Sequence, residues 1–100
     1  MVIWMIKILS DINEFENIIK EGIWFVDFNA TWCMPCRMLE PVLDGLSNDY
    51  NVLKVDIDKF SELAIKYEIM SVPSVFVFKD GVYVNKSIGL VSEDVLRKLI

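Results

Sequence analysis

The chain contains no histidine among its 100 residues and only two cysteines. Without an imidazole it cannot build a Ser–His–Asp triad, a Cys–His nucleophile or a Cys/His zinc site from its own side chains. Two thiols also fall short of the four ligands that a structural zinc site needs. Acid–base chemistry therefore has to come from carboxylates, lysines or the thiols themselves.

The chain also lacks a basic stripe and a long apolar run. Its 15 acidic and 10 basic residues give a formal net charge of −5. Nucleic acid is not an expected partner, because phosphate binding needs clustered basic side chains. No run is long enough for a membrane span, and the N-terminal MVIWMIKIL lacks the charged start and cleavage site of a signal peptide. The expected location is cytoplasmic, where a lone cysteine pair is more often catalytic or metal-binding than structural.

Glycine and proline are scarce, with four and three residues, while 54% of the chain is hydrophobic. This composition is typical of a folded chain rather than a disordered one. One hundred residues suit one small domain that buries its own core. With no linker or repeat in the sequence, we expect a single domain over residues 1–100.

Five segments have the residue types and spacing of β-strands. They are rich in Val, Ile and aromatic residues and cover 2–8, 23–30, 51–58, 74–78 and 82–88. Asp80-Gly81 lies between the last two and is typical of a hairpin turn. One charge, Asp27, interrupts the otherwise apolar run at 23–30.

Four further segments repeat their apolar residues at helical spacing. They cover 12–20, 33–46 and 60–69, with a last helix after Ser92. Pro41 predicts a kink in the second helix. The last helix is predicted to place Val91, Val95, Leu96 and Leu99 on one face. The order βαβαβαββα predicts an α/β fold, with a five-stranded mixed sheet and helices on both faces.

Both cysteines, Cys33 and Cys36, fall where a buried strand ends and a helix begins, in the stretch ATWCMPCR. A metal or iron–sulfur site bridging two chains is one interpretation, and a structural staple is disfavoured because the closed loop is so short. Thiol–disulfide exchange is favoured, because the free N–H groups and dipole of the helix start stabilise a thiolate at Cys33. Pro35 stiffens the first turn, and Arg37 adds a nearby positive charge.

The segment VDFNATWCMPCRMLEP (26–41) resembles the active site of the thioredoxin family, in which WCxPC follows a buried strand carrying an Asp. LKVDID (53–58) resembles the family's third strand. YEIMSVPSVFVFKDGV (67–82) resembles the segment with its cis-proline and hairpin, and Gly89 matches the glycine of its substrate groove. The resemblance covers essentially the whole chain and implies the thioredoxin fold, a central five-stranded mixed sheet flanked by four helices.

By this resemblance the catalytic residues are two thiols and two charged side chains. Cys33 is implied to be the exposed nucleophile that forms a mixed disulfide with substrate, and Cys36 the more buried thiol that resolves it. Desolvation should raise the pKa of Asp27. The resemblance makes Asp27 the proton acceptor for Cys36 through water, with Lys54 holding its charge. The alternative for Asp27 is a satisfied polar group at a strand end. The alternative for Lys54 is an ordinary surface lysine.

The resemblance also implies a surface that contacts substrate around the thiols. Its members are Trp32, Met34, Pro35, Val72, Pro73 and Gly89. The residues alone favour a trans bond before Pro73, whereas the resemblance implies a cis bond that frees the Val72 backbone to pair with an extended substrate. The alternative interpretation of Trp32 is that it is an ordinary core residue. Trp4 and Trp24 are assigned to the core or to partly buried surface.

Two positions depart from the family pattern. Met34 stands where thioredoxins usually have Gly, and its flexible side chain should alter partner fit and could shift the reduction potential modestly. Asn29 stands where the common pattern has Trp, which leaves that part of the site less aromatic. Neither change removes a chemical role.

The expected function is reduction of protein disulfides through reversible oxidation of the Cys33–Cys36 dithiol. The resemblance implies an enzyme without a bound cofactor or metal, monomeric, and supplied with electrons by thioredoxin reductase. A glutaredoxin-like or disulfide-isomerase-like protein of the same fold is the alternative, against which Pro35 and the absence of histidine argue. A non-catalytic binding module with a metal-bridging CxxC is the third interpretation.

Overall fold

Within residues 5–100, which a computed structural model describes, five strands form one mixed sheet in the order β1-β3-β2-β4-β5. The strands are β1 (Ile6–Ile8), β2 (Ile23–Asn29), β3 (Asn51–Asp56), β4 (Ser74–Lys79) and β5 (Val82–Ile88). The helices of this range are α1 (Phe15–Ile19), preceded by a 3-10 turn at Ile12–Glu14, α2 (Met34–Leu46), α3 (Ser61–Lys66) and α4 (Glu93–Arg97). The predicted α/β fold is confirmed.

The central strand is β2, which pairs in parallel with β3 and antiparallel with β4. Its apolar sequence suits this place, since a central strand is covered on both faces. Successive side chains of a strand point to opposite faces, so Phe25, Asp27 and Asn29 share one face. Asp27 therefore lies on the side of the sheet that α2 covers.

Each face of the sheet carries its own hydrophobic core. On one face, α1 and α3 pack against an aromatic cluster that includes Phe15, Phe28 and Phe78. On the other face, α2 and α4 bury leucines such as Leu43 and Leu96. This division confirms the predicted placement of helices on both faces of the sheet.

The cysteine-bearing helix α2 begins at Met34, runs unbroken past Pro41 and ends at Leu46. Its buried residues recur at helical spacing and are Cys36, Leu39, Leu43 and Leu46. This stripe fixes α2 against the sheet and turns its first residues toward the end of β2. No helix of residues 5–100 has both the length and the apolar character needed to cross a membrane.

Some predicted boundaries are wrong. The helix predicted at 60–69 ends at Lys66, where the chain turns through Glu68 in a left-handed conformation, φ 53°. Val95 was predicted on the buried face of α4 but is 42% exposed, because this short helix buries only a narrow stripe around Leu96. Trp24 is buried as predicted, whereas Trp4 and residues 2–4 of the predicted first strand lie outside the described residues.

The hairpin between β4 and β5 turns at Asp80 and Gly81, which both have positive φ, 51° and 83°. Two hydrogen bonds also join Asp80 to Gly22, just before β2, and we call this pair of bonds the clasp. The Asp80 carboxylate accepts a hydrogen bond from the Gly22 N–H at 2.8 Å, and its own N–H donates to the Gly22 carbonyl at 2.9 Å. The predicted Asp-Gly hairpin is confirmed.

We expect Gly81→Ala to lower the free energy of unfolding by about 1–2 kcal/mol, because an L side chain disfavours the left-handed region. No steric clash adds to this cost, since the nearest atom to an added Cβ is 3.9 Å away. Urea unfolding measures the change. The neighbouring exposed Lys79→Ala is the control and should stay within about 0.5 kcal/mol of the parent. Equal stability of the two variants would contradict the prediction.

Candidate active site

The two cysteines lie at the junction of β2 and α2 and form a disulfide, with their Cα atoms 5.3 Å apart. Cys33 is the N-cap of α2, in extended backbone conformation. Its Sγ accepts a hydrogen bond from the Cys36 N–H at 3.2 Å. A helix start thus directs a backbone donor at this sulfur, the arrangement that stabilises a thiolate once the disulfide is reduced.

The predicted difference in exposure between the two cysteines is wrong. Cys33 is 4% exposed and Cys36 is 5% exposed. The side chain of Cys33 turns inward, and its Sγ lies 3.7 Å from the carbonyl oxygen of Val72. Val72 and Ala30 complete the small apolar cluster around both sulfurs. In the disulfide form, therefore, neither thiol position projects freely from the surface.

The Val72 segment faces the disulfide in the predicted way. The Val72–Pro73 peptide bond is cis, as the family resemblance implied. Pro73 is buried, and its carbonyl accepts a hydrogen bond from the Gly89 N–H at 2.8 Å. Gly89 has φ 90°, a conformation that glycine adopts readily. Val72 and Pro73 are thus held next to Gly89, and the sequence predicted that all three belong to the substrate-contacting surface.

Asp27 is 2% exposed and lies in the middle of β2. Burial raises its pKa from the usual 3.8 to about 6, and the negative charge of Glu40 adds to the rise. A hydrogen bond from Asn29 and the positive charge of Lys54 act in the opposite direction. The predicted rise in pKa through desolvation is confirmed in direction and cause.

The two oxygens of the Asp27 carboxylate have different surroundings. Oδ2 accepts a hydrogen bond from the Asn29 side-chain amide at 3.2 Å. Oδ1 is buried and has no hydrogen-bond partner among residues 5–100. Within residues 5–100, one oxygen of this carboxylate is thus hydrogen-bonded and the other is not.

A cavity of about 340 Å³ connects Asp27 with Cys36. Its walls come from β2, β3 and α2, and include Asp27, Asn29, Cys36, Arg37, Glu40 and Lys54. It is polar in part and has room for several water molecules. Cys36 and Asp27 therefore line the same space, which is the arrangement that proton transfer through water requires.

Lys54 is the register partner of Asp27 on β3 and is half-buried in this cavity wall. Among the described residues its ammonium makes no ion pair within 4.0 Å of the Asp27 carboxylate. It acts on Asp27 through its charge rather than through a direct contact. Arg37 also lines this cavity, and its guanidinium donates to the Thr31 carbonyl at 3.0 Å.

Exposed apolar side chains surround the disulfide. Trp32 is 69% exposed, so its alternative place in the core is wrong, and its indole N–H donates to Asp58 at 2.9 Å. Met34 and Pro35 are exposed beside it. Met38, one turn beyond Met34 on α2, extends this apolar surface.

Sequence reasoning missed two contributors to the site. The bond from Asn29 to Asp27 had a signal, because residues at i and i+2 of a strand point to the same face. The bond from Trp32 to Asp58 had none, since it joins loops that are 26 residues apart.

Comparisons with known proteins agree with this geometry. The thioredoxin family model matches residues 6–100. Thioredoxin from Staphylococcus saprophyticus is 44% identical over 92 residues, covering 88% of each chain, and thioredoxin from Staphylococcus aureus is 42% identical over 91 residues, covering 87% of this chain and 88% of its own.

Solved structures give the same result. A mutant thioredoxin from Halobacterium salinarum superposes with a TM-score of 0.88 at 35% identity, covering 95% of this chain and 87% of its own. Plasmodium falciparum thioredoxin superposes with a TM-score of 0.85 at 34% identity, covering 93% and 94%. With a helix-start CxxC disulfide of the family type, the chain belongs to the thioredoxin family and is a thiol–disulfide oxidoreductase.

Proposed function

We propose that this oxidoreductase acts as a reductant of protein disulfides, with Cys33 as the attacking thiolate and Cys36 as the resolving thiol. The observation that carries the assignment is the hydrogen bond from the Cys36 N–H to Cys33 Sγ at the start of α2. A donor aimed at one sulfur lowers the pKa of that thiol selectively. Cys36 lies inside the helix, where its sulfur receives no such bond among residues 5–100.

In the first step the Cys33 thiolate attacks one sulfur of the substrate disulfide. A bond forms between Cys33 Sγ and that sulfur, the substrate S–S bond breaks, and the other substrate sulfur leaves as a thiolate. The inward position of Cys33 in the oxidised form means that reduction has to be followed by a small opening toward the substrate. The exposed neighbours Trp32 and Met34 provide the apolar contact that holds the partner there.

In the second step Cys36 attacks Cys33 Sγ in the mixed disulfide. The Cys33–Cys36 bond forms, the bond to substrate breaks, and the substrate leaves as its second thiolate. The proton of the Cys36 thiol passes through water in the cavity to the Asp27 carboxylate. With a pKa of about 6, Asp27 is mostly ionised at neutral pH and can accept it. Lys54 favours that ionised form.

We assign substrate contact to Trp32, Met34, Pro35, Val72, Pro73 and Gly89. Support comes from the Val72 carbonyl, which lies 3.7 Å from Cys33 Sγ. An extended substrate segment would pair with the backbone at Val72, as peptides do when they add to exposed backbone. The Gly89–Pro73 hydrogen bond holds this segment in place.

The electron donor is proposed to be thioredoxin reductase, and the compartment the cytoplasm, because a reducing environment keeps the dithiol in its active form. We further propose a monomer with one domain over residues 1–100. The support is that both thiols, the Val72 carbonyl and Asp27 come from one chain and lie around one site.

The reduction potential of the Cys33–Cys36 pair tests this assignment. Equilibration with dithiothreitol should give about −270 mV, the value characteristic of the thioredoxin family. A value above about −200 mV would place the protein with the isomerases and overturn the reductant assignment. Met34→Gly is the matched variant for the family departure beside Cys33, and we expect its potential to lie within about 30 mV of the parent value.

A further inference from the structure

Asn29 contacts the buried carboxylate directly. Its side-chain Nδ2 lies 3.2 Å from Asp27 Oδ2 and 3.2 Å from the Asp27 backbone carbonyl. Both of these oxygens are acceptors, so the amide nitrogen is the atom that has to face them. One NH₂ group therefore holds Asp27 at two points.

Asn29 is itself held firmly at the end of β2. Its carbonyl accepts a hydrogen bond from the Ile57 N–H at 2.9 Å, and its register partner on β3 is Asp56. The side chain is half-buried and on the same sheet face as Asp27. The amide is thus a fixed donor rather than a mobile surface group.

Other charged groups reach Asp27 only through space. Arg37 and Glu40 line the cavity from α2, and Lys54 and Asp56 line it from β3. Within residues 5–100, none of these four is hydrogen-bonded to the Asp27 carboxylate. On the β4 side the register partner is the uncharged Val75. Asn29 is therefore the described side chain that can orient the carboxylate.

We propose that Asn29 is a positioning residue for the resolving step: its amide holds Oδ2 of Asp27 and keeps the carboxylate ionised, ready to take the Cys36 proton. This inference rests on the proposed role of Asp27. The cavity that Asp27, Asn29 and Cys36 line together supports it, because a proton can reach the oriented carboxylate through water there. The Cys36 S–H bond breaks, and its proton passes through water to the Asp27 carboxylate, where an O–H bond forms. The electron pair left on sulfur makes the Cys36–Cys33 bond, while the bond from Cys33 to the substrate breaks and the substrate sulfur leaves with its electron pair as a thiolate.

The test uses an aromatic disulfide that releases coloured thionitrobenzoate. Reduced protein mixed with it in a stopped-flow instrument releases one thionitrobenzoate when Cys33 attacks and a second when Cys36 resolves. Asn29→Leu removes the donor at similar size. The pKa of Asp27 should rise by about one unit, and the second phase at pH 6 should slow about fivefold as the ionised fraction falls. The difference should close above about pH 8, and the first phase should keep its rate.

Two further variants separate positioning from general damage. Asn51→Leu removes a half-buried asparagine at the opposite end of the same sheet and should leave both phases unchanged. Adding Asn29→Leu to Asp27→Asn should slow the second phase no further, because the amide acts through Asp27. If the leucine variant does not fold, Asn29→Ser, whose hydroxyl is too short to replace the amide, repeats the measurement.

The possible failures are distinct. A parent protein that releases no thionitrobenzoate in either phase would overturn the proposed function. A parent that shows both phases, with an Asn29→Leu variant whose second phase is unchanged at pH 6 or slowed equally at every pH, would overturn the role of Asn29 alone. Carboxyl NMR titration of Asp27 in both proteins gives the pKa change independently of the rates.

Discussion

Cys33→Ser is expected to lower the dithiothreitol-driven reduction of insulin to the rate measured without protein. A serine hydroxyl cannot form a disulfide, so the first covalent step is removed rather than slowed. The rest of the site should persist, because serine is close to cysteine in size and can still accept the N–H at the start of α2.

Cys36→Ser should also lose turnover, but for a different reason. When the reduced variant is mixed with insulin after dithiothreitol has been removed, Cys33 still attacks, and the mixed disulfide with substrate accumulates because the resolving thiol is missing. Mass spectrometry of the quenched reaction should show a covalent adduct in this variant and none with Cys33→Ser. Adducts in both variants, or in neither, would contradict the assignment of the two roles.

Asp27→Asn should remove a pH dependence of stability worth about 3 kcal/mol. In the parent, the folded-state pKa of Asp27 is about 6 against 3.8 when unfolded, so the folded protein binds more protons between these values. The stability contributed by this group is complete below about pH 3.8 and is lost as pH rises through 6. At 1.36 kcal/mol per pKa unit the loss is about 3 kcal/mol.

Urea unfolding of the oxidised parent and variant at pH 4 and pH 8 checks this. The stability of Asp27→Asn relative to the parent should increase by about 2.4 kcal/mol between the two pH values, because a small part of the loss has already occurred at pH 4. This difference does not depend on any constant cost of placing a buried amide at the site, since such a cost is the same at both pH values. Solvent-exposed Asp44→Asn is the control, and its difference from the parent should stay nearly constant. A constant difference for Asp27→Asn as well would show that Asp27 ionises normally in the folded protein.

Much of the fold was predictable because the pattern is local. The apolar run that became β2 and the Asp-Gly turn carry their signals within a few neighbouring residues. The site was predictable where one residue stood out, as with the charge of Asp27 in that run. The burial of Cys33 was not predictable, because it depends on contact with Val72, which is 39 residues away in the chain. The hydrogen bond from Asn29 to Asp27 was predictable in principle, because residues at i and i+2 of a strand share a face.

The clasp between Asp80 and Gly22 lies at the opposite end of β2 from the disulfide. The seven residues of this strand separate the two ends by about 20 Å. The loops that meet at the clasp end are 20–22, 47–50 and 80–81, whereas Cys33 and Val72 belong to the other end. Labels, affinity tags and stabilising substitutions can therefore be placed at the clasp end without contacting the thiols. The thermal stability and the redox chemistry of this protein can be changed independently.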